Sequence, residues 1–536
     1  MTQQARPPKT PWWNTIAAKP IAVWIFILTI LAFRIIWQII SPYTLIEDEA
    51  HYWEWSRNLD WSYYSKGPGV AWVIWASTSI FGHTEYAIRI PAAVAAALGT
   101  LAVAKITKDH FEDQRLVFVS ALLYACVPGF AVAAMIMTID SPYIASWAWA
   151  SFFALRAIIK GHHKSWLWFG LWIAIGFIFK YTILLLLPGV LLAIFISRKS
   201  TPKLNNKYLA LGLLVSLLGL VPVLIWNANH DWATVRHLLG HLGAPGGDTQ
   251  PTAAYRADPW TILWMLEYVS LQMLVAGPVI LLSVFALINA RKHASEHTQL
   301  VIKALVAIGL PILIFYFLVS LVTQTEGNWA MGAFVTLIPA ASWAVLDGVT
   351  RVDHPVKFAW GASITIGIII LMLFPGATWL SKQPLVGPLV PLYRMTGMRE
   401  HAVAATQSIH NLREYSSQEP LIMSEHYGRA SLLAFYLPGH PTVYCTSAQV
   451  GGRKTQYDMW THTDLANPQT LADIQGRPGI LFGGRPDQWS CAFDTLSNVG
   501  KLEAEPKDDK TTFIGFNFHT FDSWTPPNTN DKTQSP

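Results

Sequence analysis

Ile46-Glu47-Asp48-Glu49-Ala50-His51-Tyr52-Trp53-Glu54-Trp55 follows directly on the first long apolar run of the chain, residues 21–41. Three consecutive carboxylates open an aromatic-rich, helix-like stretch at the mouth of a segment long enough to cross a bilayer. Ionisable groups are costly to place at a membrane boundary and point to function there. The plainer reading is a solvated helix start, where acids are favoured by the exposed N–H groups. The rest of the chain decides between the two.

Of 536 residues, 52% are hydrophobic and only 13% are charged, about half the charged share of a soluble domain. Apolar runs recur at 21–41, 87–107, 116–135, 139–158, 166–182, 183–197, 208–226, 261–289, 301–322, 328–347 and 358–376. The expected fold is a polytopic α-helical membrane protein of about eleven spans, covering residues 1–380. Lys180-Tyr181-Thr182 is the only break between the fifth and sixth runs. The first run is too long for a cleaved signal peptide and reads as a retained anchor. The net charge of +5 and the 25 Trp residues fit loop topology and interfacial belts, not a nucleic-acid partner.

Alternate connectors are rich in Lys and Arg, such as Lys105/Lys108/Arg115, Arg156/Lys160/Lys164 and Arg198/Lys199/Lys203/Lys207. Those connectors are expected in the cytoplasm. Asp48, Lys66, Asp140, Lys180, Asp231 and Glu326 then share the outer side, together with the C-terminal region. This places the chain in a bacterial inner membrane with its N-terminus inside.

Pro384, Pro388 and Pro391 mark a boundary. Helices over 396–416 and 426–436, and strands at 420–423, 442–444, 479–482 and 511–518, predict a small extracytoplasmic α/β domain over 381–523. Residues 524–536 are Pro/Asn/Thr-rich and read as a disordered tail. Cys445 and Cys491 could pair in an oxidising compartment, whereas Cys126 reads as a packed small hydrophobe.

The ordered set DEAHYWEWSRNLDWSYYSKGPGVAW, TEYAIRIP, MTIDSPYIASWAWASFFALRA and GFIFKYTILLLLPG (48–72, 84–91, 137–157 and 176–189) resembles the GT-C-type polyprenyl-phosphate-sugar glycosyltransferases. This is the superfamily of protein O-mannosyltransferases and aminoarabinose transferases. The wording is closest to bacterial lipid A galacturonosyltransferase-like proteins. The likeness continues through VLIWNANHDW, LEYVSLQM, TEGNWA, PLYRMTGM and FYLPGHPTVY.

The resemblance implies a glycosyltransferase with Asp48 as the catalytic carboxylate, Glu49 as its neighbour and Asp140 as a second acid. Asp140 also reads as a helix cap before Ser141-Pro142. Lys66, Lys180 and Arg89 match basic positions suited to the donor phosphate, although SKGPG departs from the commoner KPP or HPP wording. His51, Tyr64, Glu326 and Asn328 are further candidates for substrate contact. The chemistry asks for these types. A carboxylate takes a proton from the attacking oxygen. Cations stabilise the departing phosphate, and direct attack inverts the anomeric carbon.

The implied partners are a polyprenyl-phosphate sugar, an envelope acceptor (lipid A or another glycolipid, or else a protein) and the lipid bilayer. No cofactor is certain; a divalent metal stays open, with His51, His230, His237 and His241 beside the acids. A transporter or flippase of lipid-linked sugars is the alternative. Internal repeats and mid-membrane charges would favour it, and neither is visible.

Overall fold

The computed structural model describes residues 12–241, 246–248, 262–351, 353–385, 387, 392–504 and 510–524. The helices run α1 (Trp12–Ala17), α2 (Pro20–Ile40), α3 (Glu47–Arg57), α4 (Gly69–Phe81), α5 (Glu85–His110), α6 (Gln114–Cys126), α7 (Pro128–Ala133), α8 (Asp140–Ile159) and α9 (Ser165–Phe179). After a 3₁₀ turn at Tyr181–Leu185 come α10 (Leu186–Ser197), α11 (Asn206–Ser216), α12 (Leu220–Asn229) and α13 (Ala233–His241). Then follow α14 (Ile262–Ala276), α15 (Val279–His293), α16 (Glu296–Val319), α17 (Gly332–Arg351) and α18 (His354–Leu380).

Among the described residues, six helices are long and apolar enough to cross a membrane, or seven if the α14–α15 pair counts as one span. Each of the expected apolar runs is largely helical; the 208–226 run continues from α11 to α12 through a 3₁₀ turn at Leu217–Gly219, and two other runs are broken. Val127 precedes Pro128, which disfavours helical backbone at Val127, and the third run divides there into α6 and α7. The eighth run is not one straight span: α14 and α15 meet at 86°. Gly277 takes φ +59 at the junction, and Pro278 brings no N–H to continue the helix. The break at Lys180 falls where the sequence puts it.

α5 and α17 form much of the interior, while α2 and α18 lie at the rim with most of their surface free for lipid. Thr84 caps α5, its hydroxyl accepting from the Ala87 N–H. Asn205 and Ser295 cap α11 and α16 in the same way.

The C-terminal part carries α19 (Met398–Ser416) and α20 (Tyr427–Tyr436) beside a five-stranded sheet. Its strands are β1 (Leu421–Ser424), β2 (Tyr444–Cys445), β3 (Gly479–Phe482), β4 (Phe493–Lys501) and β5 (Thr511–Phe518), in the order β2-β1-β3-β5-β4. β1, β2 and β3 are parallel, and β5 runs antiparallel to β3 and β4. The sequence reading omitted β4, whose side chains are mostly exposed; no buried face imposes alternation on it. Cys445 and Cys491, whose pairing the sequence left open, are not joined: all three cysteines are free, and Cys445 is buried. Burial pushes the Cys445 thiol up to about 12. The tail from 525 onward lies outside the described residues, as does part of the 227–260 loop.

The two parts are clamped together beside α3. The Leu45 N–H donates to the Tyr436 hydroxyl at 2.7 Å, and Arg57 donates to the His440 carbonyl at 2.9 Å. The Tyr64 N–H donates to Gln456 Oε1 at 2.7 Å. A Cβ at Gly428 would lie 2.5 Å from the Glu47 side chain. Only glycine lets α20 approach α3 this closely.

Candidate active site

α3 starts at Glu47 with Glu49 in its third position, and the Glu49 carboxylate reaches back to the Ile46 N–H at 3.1 Å. That fixes the register of the acidic run. Successive helical residues point about 100° apart, so Asp48 and Glu49 cannot share an environment.

Glu49 is sealed, with 0% exposure. Its carboxylate accepts from Arg89 Nε at 2.8 Å and Nη2 at 2.7 Å, and from the Met137 N–H at 2.9 Å. Arg89 also donates to the carbonyls of Tyr43 at 3.2 Å and Thr44 at 2.8 Å. Both members of this pair are fully engaged inside the protein. Arg89 therefore does not sit with the other candidate phosphate-binding cations.

Asp48 points instead into a hollow, where solvent reaches it from one side. Protein on the other sides raises its pKa above the ordinary carboxylate value, with Glu47 and Asp140 adding to the effect. Lys66 and Arg453 oppose the rise. Tyr52, one turn along α3, is buried beside Asp48 and Asp140, and its hydroxyl stays protonated well above the usual phenol range.

Lys66 enters the same hollow from the loop between α3 and α4. The Tyr63 N–H and the Ser62 hydroxyl both donate to the Lys66 carbonyl, at 3.1 and 3.2 Å. The following glycine explains the SKGPG wording. A Cβ on Gly67 would meet the Ile178 carbonyl oxygen at 2.4 Å. The loop is thus pressed onto the end of α9, two residues before Lys180. Burial, with the Lys180 charge second, lowers the Lys66 pKa to about 8, against the pull of Asp140 and Asp48.

Asp140 is the first residue of α8 and does not cap it. Its carboxylate takes Lys180 Nζ at 2.8 Å and Asn328 Nδ2 at 2.8 Å. Lys180 also donates to the Asn328 carbonyl at 3.3 Å. Three elements far apart in the chain are tied at one point, and Lys180 is already neutralised there. Arg89 and Lys180 are each paired with a carboxylate, whereas among the described residues none is in hydrogen-bond contact with Lys66.

The remaining candidates separate. His51 is buried against the C-terminal part, with Nδ1 3.0 Å from Ser431 Oγ. Its Nε2 accepts from the Trp55 indole at 3.1 Å. Burial, helped by the nearby charges of Arg453 and His426, lowers its pKa to about 3. It is a neutral joint between the two parts. Tyr64 is buried below the loop, bonding Asp248 at 3.0 Å and packing on His237. Glu326 is exposed in the turn before Asn328. Among the described residues, no group of three or more His, Cys, Asp or Glu is arranged to hold a metal ion.

The sequence reading missed the wall of the hollow supplied by the C-terminal part. Arg453 lies over the Tyr427 ring at 5.0 Å and acts electrostatically on Asp48 and Lys66. Arg394 acts on Glu47 and Asp48. Arg394 stands inside the quoted PLYRMTGM, so a signal existed for it; nothing local distinguished Arg453.

Residues 65–226 match the family described as dolichyl-phosphate-mannose-protein mannosyltransferase. Lipid A galacturonosyltransferase of Rhizobium johnstonii is 28% identical over 84% of this chain and 87% of its own length. Along most of its length the chain is similar to the GT-C superfamily of membrane glycosyltransferases. A second GT-C relative is the undecaprenyl phosphate-alpha-4-amino-4-deoxy-L-arabinose arabinosyl transferase of Pseudomonas paraeruginosa. It is 24% identical over 77% of this chain and 80% of its own length. The structure of ArnT from Cupriavidus metallidurans bound to undecaprenyl phosphate shares the GT-C fold. The TM-score is 0.59 at 15% identity, covering 92% of this chain and 98% of that one.

Proposed function

We propose that this enzyme moves one sugar from a polyprenyl-phosphate donor to an envelope glycolipid, lipid A being favoured, on the outer face of a bacterial inner membrane. The observation that carries this reading is the convergence of Asp48 and Lys66, with the Asp140–Lys180–Asn328 knot, in one hollow. The near full-length likeness to the lipid A galacturonosyltransferase supports the donor and acceptor classes.

In this reading the acceptor oxygen attacks C1 of the sugar while Asp48 takes its proton, a role that contributes about 10²–10⁴-fold. The C1–O bond to the lipid phosphate breaks, and the charge it leaves is met by Lys66. Asp140, Lys180 and Asn328 hold the floor of the hollow in place. One displacement inverts the anomeric centre. Glu49 and Arg89 anchor the start of α3 and take no part in proton or phosphate transfer.

The test is direct. Purified protein is incubated with polyprenyl-phosphate sugars and candidate envelope lipids, and products are read by mass. A sugar–glycolipid product carries the proposal; free sugar alone, or no consumption of any donor, removes it. The anomeric configuration of the product decides between single and double displacement.

A further inference from the structure

A second recess lies at the far end of α2 and α5. α2 finishes beside the hollow, where Gln38 Nε2 donates to the Arg89 carbonyl near the start of α5. The two helices are therefore antiparallel, and the start of α2 meets the end of α5. With 21 residues in α2, that end is about 30 Å from the hollow, a full membrane thickness. A recess of about 80 Å³ opens there.

Three lysines from two separate stretches line it: Lys19 before α2, and Lys105 and Lys108 on α5. Lys105 and Lys108 are three apart, so they share one face of the helix. Among the described residues, no ion pair joins any of the three to a carboxylate. Asp113 is taken by Arg115, and Asp109 by Arg156 and Lys160. The wall beside the lysines is apolar, with Val23, Trp24 and Phe118. Trp24 is 47% exposed, toward the lipid side of a rim helix.

Basic residues at span ends set topology by their number alone; that needs neither convergence nor a recess. Here three uncompensated cations meet over one cavity that continues into an apolar, lipid-facing wall. We propose that this recess binds the headgroup of an anionic phospholipid in the leaflet opposite the hollow. Lys19, Lys105 and Lys108 hold the phosphate, and the Val23–Trp24–Phe118 wall receives the upper part of an acyl chain. The inference stands independently of the reaction proposed above. It predicts that the membrane's anionic lipid steadies the α2–α5 pair, on which the Glu49–Arg89 anchor depends.

The experiment is native mass spectrometry of the full chain in detergent, titrated with phosphatidylglycerol or phosphatidylethanolamine. The wild-type protein should retain one phosphatidylglycerol in preference to phosphatidylethanolamine. The K19Q/K105Q/K108Q variant should bind it roughly a hundredfold more weakly at low salt, at about tenfold per 1.4 kcal/mol and about 1 kcal/mol per lysine. Replacing Lys199, Lys203 and Lys207 by Gln removes equal charge elsewhere and should leave retention unchanged. Equal losses in the two triple variants, or no preference between the lipids, would overturn the proposal. Should the triple variant fail to fold, K105Q alone should weaken retention about fivefold; unchanged retention in K105Q overturns it equally.

Discussion

Asp48 and Glu49 are chain neighbours with the same chemistry and opposite fates. Glu49 is enclosed, paired with Arg89 and bonded to two backbone N–H groups. Asp48 faces an open hollow where Lys66 and Arg453 act on it without neutralising it by contact. One residue of helical rotation separates an anchor from the proposed reactive group. A buried, saturated carboxylate gives stability and no chemistry; a half-solvated one with a raised pKa can take and return a proton.

The largest expected effect tests the open member. Asp48→Asn should lower turnover by about 10²–10⁴-fold while melting temperature stays near wild type; near-normal turnover would assign the base elsewhere. Glu49→Gln should show the reverse pattern. It leaves Arg89 buried without its counter-charge, which costs about 3–5 kcal/mol, read as a lowered melting temperature. A stable Glu49→Gln enzyme with no turnover would erase the distinction between the two acids.

Smaller effects sharpen it. Lys66→Ala should lower turnover by about 10²-fold, from loss of one charge stabiliser at the departing phosphate. Lys66 titrates near 8 and is charged below that value, so kcat/KM should fall as pH rises through about 8. Lys66→Arg keeps its charge and should remove that alkaline limb; a limb that persists in Lys66→Arg belongs to another group. On the acid side, activity should fall as Asp48 becomes protonated, above the ordinary aspartate range because its pKa is raised. The smallest effect is at the joint with the C-terminal part. Ser431→Ala removes the partner of His51 Nδ1 and should cost about 1 kcal/mol in stability with turnover retained.

Much of the fold was legible because hydropathy reports burial in lipid directly. The run at 21–41 became α2 almost residue for residue, the run at 358–376 lies within the longer α18, and Lys180 marked its break. Hydropathy carries no direction, however, so the 86° turn between α14 and α15 was read as one straight span. Asp48, Lys66, Asp140 and Lys180 were legible through the resemblance their motifs carry, and Asn328 only as a candidate substrate contact. The split between Asp48 and Glu49 was not, because adjacency in sequence says nothing about which face is sealed. Arg89 illustrates the same limit: a cation at a span boundary looks free until its partner is placed. Arg453 could not be found at all, since its proximity to Asp48 exists only after α20 docks on α3.

That docking has a consequence for the life of the protein. Chains are made from the N-terminus, so Asp48, Lys66 and Asp140 leave the ribosome long before Tyr427 and Arg453. The residues proposed to react therefore spend their biogenesis in an unfinished cleft. The hollow proposed as the site is complete only once Gly428 has settled against Glu47. A copy that stops before Arg453 would keep its acids but lack the cationic wall that acts on Asp48 and Lys66.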